Sequence, residues 1–320
     1  MPVQMQAAPG GEPVTMVACH AMRARFEIAL WGRDASSLRA AGQEALDEIR
    51  RVEAQLNAHD PASEVSSVNR DAADRPVRVD PRLFRLLEQA LALGRETGGA
   101  FDIAVGPLLR AWGFRGAPGR RPTREEAEAA RALCGPGAIV LDETEWTVRL
   151  ARAGASIDLG AIGKGYAIDL AAEVLRECGV PGALLHGGTS TALGLGAGPD
   201  GQPWRVAVAA PGQPERALAV VPLAGMALSV SAVHGRFFME GDRSWGHVMD
   251  PRTGAPSSRC ALAAVRCASA TESDALSTAL LVAGEEMLPV LAARPARAEG
   301  LVAVADKDGA LHVAGPLAAG

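Results

Sequence analysis

The sequence predicts an α+β fold built largely on antiparallel sheet. Three observations carry this reading. Segments that alternate apolar and polar residues outnumber what regular βα alternation would supply. WRVAVAA, ALAVVPL and MALSVSA, between residues 204 and 232, follow one another as strands of a meander would. LVAVADKDGALHVAG near the C-terminus reads as a hairpin about an Asp308-Gly309 turn.

The elements follow in order. Residues 1–15 are rich in Pro and Gly and read as loose; residues 16–320 read as one domain. MRARFEIAL is a strand. Over residues 36–57, Leu38, Ala41, Ala45, Ile49, Val52 and Leu56 keep a 3.6-residue period, an amphipathic helix. HDPASEVSSVNR is a polar loop turning at Asp60-Pro61, and residues 82–98 form a second helix closed by Gly98-Gly99. A basic loop enters a third helix, where Thr123 and Glu126 make a capping box. AIVLD and WTVRLA are short strands. SIDLGAIGKGYAID then opens a helix with Ile168, Ala171, Ala172 and Leu175 on one face and Gly179 as its left-handed cap. ALLHGG is a strand, RFFMEGDRSWGHVMDPRTG a hairpin with a Pro turn, LAAVRCAS a strand and DALSTALLVAG a helix.

Bulk properties exclude several functions. The 320 residues carry a net charge of −5, with no Lys/Arg block and one tyrosine, so no nucleic-acid partner is expected. Five scattered cysteines without a C-x-x-C pair support neither a zinc site nor a disulfide framework. The N-terminus lacks the pattern of a signal peptide, and Cys19 lacks the apolar run of a lipid anchor, so a cytoplasmic location is expected. No apolar stretch approaches the ~20 residues of a membrane span.

Four stretches can carry chemistry. SIDLGAIGKGYAID is not a P-loop, because Lys164 is followed by Gly165 and no hydroxyl is available for a metal. Its glycines and helix start suit an anion beside the Lys164 charge, or equally a plain strand–turn–helix connection. Asp274, Ser277 and Thr278 share one helix face and suit a hard cation such as magnesium; Asp274 at a helix dipole reads equally well. In GHVMDPRTGAP, His247 is a candidate general base and Arg252 a candidate phosphate contact, or the segment is an ordinary turn. LLHGGTSTALG offers two glycines and hydroxyls for close approach. No covalent nucleophile is indicated.

The order of these stretches resembles the ApbE-type family, the FAD:protein FMN transferases. The resemblance rests on AMRARFEI (21–28), HDPASEVSSVN (59–69), FDIAVGPLLRAWGF (101–114), DLGAIGKGY (158–166), HGGTS (186–190), HVMDPRTG (247–254) and DALSTA (274–279). It implies a T-fold-like architecture of two packed halves with FAD between them. It implies that Met22, Asp158, Gly160, Lys164, Gly165, Gly187, Gly188, Thr189, His247, Arg252 and Thr253 contact or shape the FAD site. The carbonyl of Ala161 and the side chains of Asp274 and Thr278 would hold Mg2+, and His247 and Asp274 would be the catalytic pair. The implied reaction moves FMN from FAD to a threonine of an acceptor protein and releases AMP; FAD binding alone, or FAD hydrolysis by water, is the alternative. The chain departs from the family pattern at Arg23 for glycine, Thr189 for an acid, His234 in SAVHGRFF, and Gly163 for alanine.

Overall fold

The computed structural model describes residues 14–116, 118–233, 235–306 and 310–319. Its centre is an eight-stranded sheet: β1 (Thr15–Ala21), β2 (Ala24–Trp31), β3 (Gly182–Gly187), β4 (Thr191–Leu195), β5 (Met226–Ala232), β6 (Leu262–Cys267), β7 (Glu299–Ala305) and β8 (Leu311–Ala314). The strands lie side by side in chain order, and every neighbouring pair is antiparallel. The α+β class with antiparallel sheet is as expected.

Alternation puts both faces of the sheet to use. Ile28, Leu30, Leu185, Leu193, Val265 and Val302 face the helices. Ala29, Leu184, Ala192, Leu228, Ala264 and Leu301 face the other way, under a hairpin of Trp204–Ala210 and Gln213–Leu223. Side chains two apart on a strand share a face, so two cores are built from one sheet.

Three helices cover the first face: α1 (Ala35–Leu56), α2 (Gly163–Glu177) and α3 (Ala270–Ala283). α1 keeps the expected apolar stripe, from Leu38 to Leu56. α2 buries Ile168, Ala171, Ala172 and Leu175 and is followed by Gly179 at φ 71°, as expected of the cap. The capping box of Thr123 and Glu126 is present.

Four expectations are corrected. The strand read as MRARFEIAL starts two residues later, at Ala24, because Met22 and Arg23 form the turn before β2; a further strand, β1, precedes that turn and begins at Thr15, inside the segment read as loose. The turn residues Met22 and Arg23 carry no glycine, so no turn signal marked it. The loop HDPASEVSSVNR contains a helix, Glu64–Asp71, because the Ser63 hydroxyl accepts from Ser66 N at 3.0 Å and caps it. Residues 226–232 leave the meander: they pair with β4 and β6, not with 213–223. Finally, Ala270–Ala292 is long and apolar enough to cross a membrane by composition, yet most of it is buried, including Ser273, Asp274 and Ser277. A core helix buried on all sides is apolar all round. The Asp308-Gly309 turn and His234 lie outside the described residues, although the β7–β8 pairing expected of that turn is present.

α3 is started by a residue from another helix. Asp169 of α2 accepts from Ser269 Oγ (2.7 Å), Ala270 N (2.9 Å), Thr271 N (2.9 Å) and Thr271 Oγ1 (2.7 Å). Ser269 itself caps the helix through Glu272 N. Two of α3's open N–H groups are thereby answered by a carboxylate, which also complements the helix dipole. Asp169→Ala is expected to lower stability by about 2–4 kcal/mol, read as a lower urea midpoint at unchanged slope. A shift within error would mean that the Ser269 cap suffices alone.

A candidate active site at one end of the sheet

The β1–β2 turn, the β3–β4 turn, the end of β5 and the start of β6 lie at the same end of the sheet, as the strand registers require. Gly188 N donates to Arg25 O at 2.9 Å, and Val230 N to Ser190 O at 2.7 Å, which ties these turns together. Met22, Gly187, Gly188 and Thr189 therefore share one rim. Gly188 has φ 63°, and Thr189 is exposed.

Behind the rim, α2 and α3 touch at Gly165. A Cβ there would lie 2.1 Å from the Ala270 carbonyl oxygen, so only glycine permits this contact. The Gly165 N–H donates to Asp274 Oδ2 at 3.1 Å. Asp274 is 4% exposed, and among the described residues its other carboxylate oxygen accepts no hydrogen bond. Because α3 begins at Ala270, Asp274 stands in its second turn. The helix-dipole role considered for Asp274 falls instead to Asp169. Around Asp274 lie hydroxyls: Ser231 Oγ is 2.8 Å from Ser277 Oγ and 3.2 Å from Thr278 Oγ1, and Ser277 Oγ donates to the Asp274 carbonyl at 2.9 Å. One buried carboxylate with a free oxygen, hydroxyls beside it and no cluster of three His, Cys, Asp or Glu among the described residues fits a hard cation that keeps water or phosphate ligands. It does not fit zinc.

The segment before α2 is braced rather than loose. Asn69 donates from Nδ2 to Ile157 O at 2.9 Å and accepts from Ile157 N at 2.6 Å. Asp158 N donates to Ile103 O at 2.8 Å. Asp158 Oδ1 accepts from Gly160 N at 2.9 Å, a side-chain turn, and Lys164 Nζ lies 3.5 Å from Gly160 O. Arg115 reaches the carbonyls of Ala58 and Ile157 and sits 3.7 Å from Asp158. α2 has no side-chain cap.

His247 ends the hairpin of Phe237–Glu240 and Arg243–Gly246. Its N–H donates to Arg236 O at 2.9 Å, and its Nδ1 lies 3.2 Å from the same carbonyl. The Arg236 N–H also approaches Nδ1, at 3.3 Å, so the Arg236 backbone holds that edge of the ring. Burial pushes the imidazole below its ordinary pKa; the charges of Arg236 and Lys164 act in the same direction, against the Arg236 carbonyl and Asp158. His247, Lys164 and Asp158 thus share one electrostatic environment. His59 is lowered too, by burial and then by Arg115 and Arg23.

Arg252 and Thr253 stand apart from this group. Asp250 holds Arg252 in a bidentate pair, 2.9 Å at both contacts. Arg252 lines a cavity of about 220 Å³ with Phe101, Asp102, Ile103 and Cys134; Asp158, Lys164, His247 and Asp274 do not line it. The Asp158 N to Ile103 O bond makes the two places neighbours. Burial pushes the Cys134 and Cys267 thiols up to about 12.

Sequence reasoning missed Asn69, Arg115, Asp169 and Ser231. Asn69 lay inside a quoted motif, but nothing local says that it braces residue 157. The other three act across gaps of 42 to 102 residues in sequence, from that between Arg115 and Ile157 to that between Asp169 and Thr271.

The structure is thus an antiparallel α+β protein in which a buried carboxylate with hydroxyls beside it joins the helix that carries Lys164. The chain belongs to the ApbE family, whose profile matches residues 22–302. It is 37% identical over 225 residues to the FAD:protein FMN transferase of Rhodobacter capsulatus, which covers 70% of this chain and 42% of that relative. The chain thus spans less than half of that protein's length. It is 30% identical over 266 residues to the enzyme of the same name from Haemophilus influenzae, covering 79% and 76%. The ApbE protein of Thermotoga maritima superposes with a TM-score of 0.85 at 28% identity, over 94% of this chain and 96% of that one. The apo flavinyl transferase ApbE of Pseudomonas stutzeri gives 0.83 at 28%, over 96% of each chain.

The rim holds one strained position. Met22 and Arg23 both have positive φ, 50° and 60°, a type I′ turn that favours glycine. Glu53 Oε1 clamps it by accepting from Met22 N at 2.6 Å. Arg23→Gly is expected to raise stability by about 0.5–1 kcal/mol in urea unfolding. A loss of stability would show that contacts of the arginine outweigh the strain.

Proposed function

We propose that the protein transfers FMN from FAD to a threonine hydroxyl of an acceptor protein, with Mg2+, and releases AMP. The observation that carries this is the joining of Asp274 to the start of α2. That bond joins the buried Asp274 carboxylate to the helix start that carries Lys164, and the Lys164 charge acts on His247.

FAD carries a pyrophosphate, and the cleft answers that charge. Lys164 supplies a point charge, and Asp158 fixes the loop that presents it. The cavity beside Arg252 has apolar walls at Leu91, Phe101 and Ile103, suited to one flat end of the dinucleotide. Asp274, Thr278 and the Ala161 carbonyl would hold Mg2+, which when bound neutralises charge growing on the departing phosphate. His247, whose pKa burial lowers, takes the threonine proton on its imidazole. The threonine oxygen then bonds to the FMN phosphorus as the bond from that phosphorus to the oxygen of AMP breaks. Thr189 leaves the flavin side of the rim without the acid usual in the family.

The decisive measurement is AMP release from FAD with an acceptor present, with and without Mg2+. Release by the native chain, lost roughly a hundredfold in Asp274→Ala, is expected. FAD binding without any AMP would overturn transfer; AMP without labelled protein would make water the acceptor. A second expectation concerns pH. A base must be unprotonated to act, so kcat/KM is expected to rise with pH with its midpoint below the ordinary histidine value of 6.5. Lys164→Ala removes a charge that lowers the His247 pKa, so its profile should shift to higher pH. An unshifted profile would detach Lys164 from the base.

A further inference from the structure

A second groove, of about 520 Å³, opens beside the His247 hairpin. Arg121, Arg124, Arg243 and Arg259 line it with Trp112 and Trp245. The lining carboxylate, Asp250, is already taken by Arg252. A chain of net charge −5 thus gathers four arginines on one concave surface. Two of the arginines stack on an aromatic ring: Arg243 lies 3.9 Å and Arg121 5.5 Å from the Trp245 ring, and Trp245 packs on Trp112 at 5.0 Å. Arg243 makes no ion pair among the described residues. Arg121, Arg124 and Arg259 pair with exposed Glu240, Glu128 and Glu286, at 3.7, 2.7 and 3.3 Å. Such surface pairs contribute little and exchange readily for an incoming carboxylate.

The groove adjoins the candidate site. Trp245 precedes His247 by two residues, roughly 7 Å along an extended strand. The turn at 250–254 divides the two cavities: Pro251 and Arg252 line the one beside Asp102, and Asp250 and Thr253 line this one.

We propose that this groove docks an acidic, extended segment of the acceptor protein and so delivers its threonine to His247. The inference rests on the transferase reading above for the identity of its occupant. Spaced carboxylates match spaced guanidinium forks, and the tryptophans supply a rigid floor.

The test is fluorescence anisotropy on the full chain with a labelled short peptide that has glutamates flanking one threonine, against its glutamine counterpart. The glutamate peptide is expected to bind roughly tenfold tighter and to weaken as salt rises from about 0.05 M to about 0.3 M. Arg243→Glu should abolish the preference, and Arg259→Glu, which leaves the Trp245 stack intact, should reduce it; thermal unfolding checks that both fold. Equal binding of the two peptides, an unchanged preference in both variants, or tighter binding of an oligothymidylate would overturn the proposal. The assay needs no FAD, so peptide binding retained in Asp274→Ala while AMP release fails in every form would overturn the transferase reading alone.

Discussion

Helices α2 and α3 meet at a point where no side chain fits, and two carboxylates cross the contact. Asp169 of α2 caps the start of α3, while Asp274 of α3 accepts the Gly165 N–H of α2. Each helix thus satisfies backbone donors that the other leaves open. The contact fixes the spacing of the whole site. Asp274 is held by one oxygen and keeps the other available, Thr278 and Ser277 follow on the same face, and Ser231 reaches them from the sheet. A Cβ at Gly165 would separate the helices and dismantle this arrangement.

Charge is distributed against the global balance. The chain is acidic overall, yet Asp158 is the carboxylate amid Arg115, Lys164, Arg236 and Arg23 in the electrostatics of the two cleft histidines. Local concentration of one sign in a cleft focuses the field and draws anions. After burial, which acts most strongly, these charges lower the pKa of both histidines.

The rim keeps strain that the rest of the sheet lacks. Two non-glycine residues in succession hold left-handed φ at the β1–β2 turn, over-determined by the Ala21–Ala24 pairing and by Glu53. Strain of this kind survives only where surrounding contacts fix it. Arg23 is also among the charges that lower His59, which places it electrostatically at the cleft.

The sequence by itself determined what depends on neighbours along the chain. Periodicity marked α1 and α2, Thr123 and Glu126 marked a helix start, and alternation marked most strands, because these follow from local geometry. Ordered motifs marked the family and most of the rim. Tertiary structure decided what depends on distant partners: that residues 226–232 join the central sheet, that Asn69 braces Ile157, and that Asp169 starts α3. It also decided that Gly165 gives its N–H to a carboxylate 109 residues away rather than leaving it for a ligand. A hydrogen bond between elements is chosen by which surfaces pack, and packing is a property of the whole chain; no short stretch of residues carries it.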